Sequence, residues 1–137
     1  MALTYTTPEA VFAKIQLALE TAGFQGVDRQ KGLKIDNYAY PGCFINDVMQ
    51  TRKTLLRNVI DVTHFVSIPV FEKDTAGTMH TTLNGIIQTA LAALKADPTW
   101  GGLCMDGTIE RVTTDEGFYA PYCVAIIQLK LNYLARN

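Results

Sequence analysis

Residues 122–133, Tyr-Cys-Val-Ala-Ile-Ile-Gln-Leu-Lys-Leu-Asn-Tyr, form the most telling hydrophobic pattern in the chain. Read with period two, Cys123, Ala125, Ile127, Leu129, Leu131 and Tyr133 share one apolar face. The opposite face opens with Tyr122, Val124 and Ile126 and turns polar only at Gln128, Lys130 and Asn132. A strand with one wet face alternates along its whole length. This one is dry on both faces for half its length, so a second covering layer is implied. A companion strand runs over residues 59–71, with Ile60, Val62, His64, Val66, Ile68 and Val70 on one face. Asp61, Thr63, Phe65, Ser67, Pro69 and Phe71 line the other. Pro69 has no N–H for a ladder, which predicts an edge or a bulge near it.

Two stretches carry helical spacing instead. Thr7 suits a helix cap, Pro8 the first helical position and Glu9 the positive end of the helix dipole. Val11, Ile15, Ala18, Leu19 and Ala22 then make an apolar stripe that stops at Gly23. A second helix is marked by Leu83, Ile86, Ile87, Ala90, Leu91 and Leu94, and Asp97-Pro98 ends it because a residue before proline avoids helical dihedrals. Short strands are predicted over residues 43–49 and 105–115, the latter joined to the closing strand by a hairpin at Glu116-Gly117. Residues 24–40 read as a long connection. Residues 51–57 are ambiguous between a loop, a hairpin tip and an extension of a strand. The expectation is a single α+β domain over residues 1–137. It has a mainly antiparallel four-stranded sheet with two amphipathic helices on one face, in the order α-β-β-α-β-β.

Two helical stripes cover one sheet face and not both. The second face then exposes Phe65, Phe71, Tyr122, Val124 and Ile126, enough apolar surface to mark an interaction site. Strand length points the same way: thirteen residues extend about 43 Å, whereas an 18-residue helix spans about 27 Å. Either residues 24–40 fold over the second face, or another copy covers it. The latter would also dispose of exposed strand edges.

Composition narrows the function classes. A net charge of −1 over 137 residues speaks against a life of non-specific attraction to phosphate or anionic lipid. No stretch has the run of about 20 apolar residues that a membrane span needs, and the N-terminus lacks a signal-peptide pattern. Three widely spaced cysteines, Cys43, Cys104 and Cys123, suit a reducing compartment better than a disulfide framework. Each reads as a small buried apolar residue. His64, set among Ile and Val, reads as a satisfied core histidine, and His80 as a solvated one. Neither has partners at a metal-binding spacing. No nucleophile elbow, phosphate loop or dinucleotide fingerprint occurs, and no cofactor is expected. Asp106, Glu110, Asp115 and Glu116 form an acidic hairpin without calcium-loop spacing. Arg52, Lys53 and Arg57 are the densest basic cluster, either a solvated loop or a surface facing phosphate or an acidic partner.

The order of elements resembles the tail terminator, or tail completion, proteins of long-tailed bacteriophages. The resemblance runs through Thr-Pro-Glu-Ala-Val (residues 7–11), Pro-Gly-Cys-Phe-Ile (41–45), Val-Ser-Ile-Pro-Val-Phe-Glu-Lys-Asp (66–74), Asp-Pro-Thr-Trp (97–100) and Leu-Lys-Leu-Asn-Tyr (129–133). It covers nearly the whole chain as a match of layout. It implies a virion protein, assembled in the host cytoplasm, that forms a hexameric ring. Such a ring caps the tail tube protein, ends tube polymerisation and meets the head–neck connector protein, while genomic DNA passes through its lumen without sequence-specific contact. No bond is made or broken. On this reading Phe65, Phe71, Tyr122, Val124 and Ile126 fall at subunit contacts, and Arg52, Lys53 and Arg57 at the lumen or the tube-facing rim. The competing readings are another neck or connector ring component, and a small-molecule-binding domain or enzyme that uses His64 and a cysteine in a dry pocket.

Overall fold

The structure is a computed structural model and describes residues 5–28, 41–74, 77–97, 99–114 and 121–136. Eight elements follow one another: α1 (Pro8–Thr21), β1 (Gly26–Asp28), β2 (Gly42–Phe44), β3 (Asn46–Leu56), β4 (Val59–Lys73), α2 (Met79–Lys95), β5 (Asp106–Thr114) and β6 (Tyr122–Arg136). The six strands form one mixed sheet in the order β1-β2-β4-β6-β5, with β3 also paired to β4. Its β1–β2 ladder is parallel, and its other four ladders are antiparallel.

This corrects the four-stranded α-β-β-α-β-β expectation in three places. Part of the connection over residues 24–40 is a strand, β1, which adds the parallel pair. The strand expected over residues 43–49 is two strands, broken at Ile45. The ambiguous residues 51–57 extend the second of them into a long hairpin with β4. Residues 29–40, the Asp115–Glu116 part of the acidic hairpin and Pro98 lie outside the described residues, as does the side chain of His80.

Pro69 also behaves differently from the expectation. Strand β4 lies inside the sheet, between β6 on one side and β2 and β3 on the other. Cys43 pairs with Val70 and Asn46 with Ser67, so Pro69 falls where the neighbouring strand is interrupted. A missing N–H is tolerated there.

The core sits between the helices and one sheet face. Helix α1 starts as its sequence dictates, with Thr7 Oγ1 accepting from the Ala10 N–H at 3.3 Å and Pro8 in the first turn. It buries Val11, Phe12, Ile15 and Leu19, and α2 buries Ile86, Ile87, Ala90 and Leu94. Both pack on the face formed by Ile60, Val62, Val66, Ile68 and Val70 of β4 and by Ala125, Ile127, Leu129, Leu131 and Tyr133 of β6. After α2 the chain reverses through Trp100, Gly101 and Gly102, all at positive φ. Asp97 staples this turn by accepting from the Thr99 hydroxyl at 2.8 Å and the Gly101 N–H at 2.7 Å. These bonds, the Thr99 hydroxyl first, hold the Asp97 carboxyl below its ordinary pKa.

Candidate interaction surfaces

His64 is fully buried on the helical face of β4. Its Nε2 lies 2.7 Å from Asp47 Oδ1 on β3 and its Nδ1 2.9 Å from the Tyr133 hydroxyl on β6. With the proton on Nε2, the ring donates to the carboxylate and accepts from the phenol, so both nitrogens are satisfied. The Phe12 ring closes the site edge-on at 5.3 Å. Three adjacent strands and α1 thus meet at one polar knot. A satisfied core histidine is what the structure contains.

Two of the thiols, Cys43 and Cys104, are held protonated by burial near neutral pH. Cys43, Cys104 and Cys123 are all buried and none forms a disulfide. Burial pushes the Cys43 and Cys104 thiols up to about 12, and the Tyr133 phenol likewise to about 12. A nucleophilic cysteine needs the opposite environment. His64 therefore faces a carboxylate and a phenol where the enzyme reading needed a cysteine. Among the described residues no group of three His, Cys, Asp or Glu side chains is placed to hold a metal.

The non-helical sheet face is where the assembly reading placed its contacts. Register puts Phe65 opposite Lys130 on β6 and Met49 on β3, Pro69 opposite Ile126, and Phe71 opposite Val124. Phe65, Tyr122 and Val124 are half-buried and Ile126 is exposed. Phe71 differs: it is fully buried, with the buried Phe44 ring 5.2 Å away. The β2 strand that carries Phe44 beside it was not foreseen as a separate element, so Phe71 looked open. It belongs to the interior of the protomer. Two apolar areas remain accessible, one at Met49 and Phe65 and one at Val124 and Ile126, with Ser67, Gln128 and Lys130 between them.

The basic residues belong to the β3–β4 hairpin. Arg52 and Lys53 lie on β3, pairing with Val62 and Asp61, and so point to opposite faces of the ribbon. Arg57 sits in the two-residue turn, and all three are exposed. The hairpin also exposes Val48, Met49, Leu55 and Leu56. Leu55 and Leu56 escaped the sequence reading because residues 51–57 carried no clear period, and Val48 and Met49 fell in the strand expected over residues 43–49. The available signal was Asn58, whose left-handed φ of 71° suits a tight turn.

A second feature not anticipated is an apolar groove of about 450 Å³ between the C-terminal halves of the two helices. Ala18, Ala22, Ala93 and Trp100 form much of its lining, with Leu17 and Lys14 along the α1 side and Asp97 on the other. Alanines leave the space, and the positive-φ turn at Trp100-Gly101 lines it as well.

No protein-family model matches the chain, and no curated protein matches it. Among the described residues, no helix is long and apolar enough to cross a membrane.

Proposed function

We propose that the chain is a structural ring subunit of the tail-terminator kind. It assembles as a hexamer, seats on the end of a tail tube, stops tube growth and offers its other rim to a head–neck connector protein. DNA passes through the lumen, and the protein performs no covalent chemistry. Its place is then the virion neck. The layout resemblance supplies the biological setting.

The observation that carries the reading is an incomplete sheet. The helices cover one face, while the other leaves Phe65 and Val124 half-buried and Ile126 exposed. The β3–β4 hairpin meanwhile carries four exposed large apolar side chains, Val48, Met49, Leu55 and Leu56. Arg52, Lys53 and Arg57 on that hairpin suit a lumen or tube-facing rim, where scattered cations attract a polyanion without gripping it. The test is native mass spectrometry with negative-stain electron microscopy. A six-subunit ring is expected, and a monomer at every concentration would overturn the proposal. Val124→Asp should weaken the ring and leave the secondary structure of each subunit intact by circular dichroism.

A further inference from the structure

Two arginines from distant parts of the chain meet at the hairpin end of the sheet. The turn at Asn58, with its φ of 71°, brings Arg57 beside Val59, and Val59 pairs with Arg136 on β6. Strand β5 follows β6 only as far as the Asp106–Asn132 pair. Beyond that pair the residues before α1 take over, and the Thr6 N–H donates to the Leu134 carbonyl at 2.8 Å. The Tyr5 ring is thereby set against Arg136, whose guanidinium carbon lies 4.5 Å from the ring centroid. Tyr5, Arg57, Asn58, Val59 and Arg136 line a cavity of about 410 Å³.

The charge of this cavity has one sign. Its lining holds two arginines, an asparagine amide, a tyrosine and a buried valine, and no carboxylate. Both arginines are exposed, and among the described residues neither forms an ion pair. Asp61, two residues along β4 from Val59, accepts from the Asn132 amide at 2.6 Å, and Glu9 lies in the first turn of α1; neither lines the cavity. Stacking on Tyr5 fixes the plane of the Arg136 guanidinium and leaves its N–H fork available. Such a fork matches the oxygens of a phosphate two at a time. A second, mostly apolar cavity of about 300 Å³ shares Tyr5 and Arg136 as a wall and continues over Thr6, Pro8 and Ala135.

We infer that the two cavities form one binding site for a phosphate monoester. Arg57, Arg136 and the Asn58 amide take the phosphate, and the apolar cavity beside Tyr5 takes the organic group it esterifies. Charge favours the monoester over other anions: at neutral pH it carries close to two negative charges, matching two guanidinium groups, whereas a carboxylate or a phosphodiester carries one. Every lining residue belongs to a single subunit, so the site goes beyond the ring reading and does not depend on it. Of the hairpin cations only Arg57 takes part; Arg52 and Lys53 line neither cavity.

Isothermal titration calorimetry of the full chain with phenyl phosphate tests it, with benzoate and an oligonucleotide lacking a terminal phosphate as comparators. Saturable binding of phenyl phosphate is expected, tighter than that of either comparator. Arg57→Gln and Arg136→Gln should each raise its Kd at least about tenfold, the scale of one lost hydrogen bond to a charged group. Arg136→Lys should weaken it too, because a lysine keeps the charge but not the planar fork. Arg52→Gln, on the same hairpin but outside both cavities, should leave Kd unchanged. All four side chains are exposed, and circular dichroism with the melting temperature checks that each variant is folded; should Arg136→Gln lose its fold with the Tyr5 stack, Arg57→Gln carries the test. No saturable binding at millimolar phenyl phosphate would overturn the site. So would equal binding of benzoate, tighter binding of the oligonucleotide, or an equal loss in Arg52→Gln, each of which would reduce the site to general attraction of anions. The oligomeric state decides none of these outcomes, so the ring reading and the site stand or fall separately.

Discussion

A histidine placed among Ile60, Val62 and Val66 on one strand face can be a ligand, a base or a structural polar group, and its partners decide. Asp47 and Tyr133 satisfy both ring nitrogens of His64, and no solvent reaches it. The alternation of β4 made its burial legible. The identity of its partners was not, because they lie on β3 and β6 and depend on cross-strand register. Tyr133→Phe removes the hydroxyl and leaves a buried nitrogen unsatisfied, so it should lower unfolding free energy by about 1–3 kcal/mol, read from urea denaturation. The three groups pushed up by burial give a second expectation. The native state holds the protons of Cys43, Cys104 and Tyr133 to about pH 12, whereas the unfolded chain releases them near the ordinary values of 9.0 and 10.0. Their contribution is therefore fully present below about pH 9 and declines as the pH rises toward 12. Melting temperature should fall across that alkaline window. At neutral pH a thiol reagent should label Cys43 and Cys104 only after unfolding; fast native labelling would favour the enzyme reading.

Elements with a strong period were legible in the sequence, and those defined by pairing were not. The two helices and strands β4 and β6 announced themselves through 3.6- and two-residue repeats. Thr7 and Pro8 placed the start of α1. Strands β1 and β2, three residues each, are too short to carry a period, and the parallel ladder between them is a tertiary fact. The hairpin was obscured for a different reason: nearly every residue of β3 is exposed, so no alternation was imposed on it. Its turn rests on Asn58 at φ 71°. Asn58→Val should destabilise the hairpin by about 1–2 kcal/mol, because a β-branched residue resists the left-handed region. Asn58→Gly should be tolerated. Hydrogen exchange across residues 46–65 would separate the two, with faster exchange expected only for the valine variant.

For the whole molecule, the sheet asks for more cover than two helices provide. Strands β4 and β6 each run 15 residues and α2 runs 17. At their respective rises these are about 50 Å and about 26 Å. The chain answers part of that excess itself, by burying Phe71 with Phe44. It leaves the remainder at Ile126, Val124, Phe65 and the hairpin tip. A sequence shows that a face is too apolar for water; it does not show whether a neighbouring strand or a neighbouring subunit covers it, and Phe71 fell to the former. We propose that the latter covers the rest. Native mass spectrometry of the intact protein at micromolar concentration tests it most directly. A dominant species of six chains is the expected result, and a monomer that persists as the concentration is raised would contradict it.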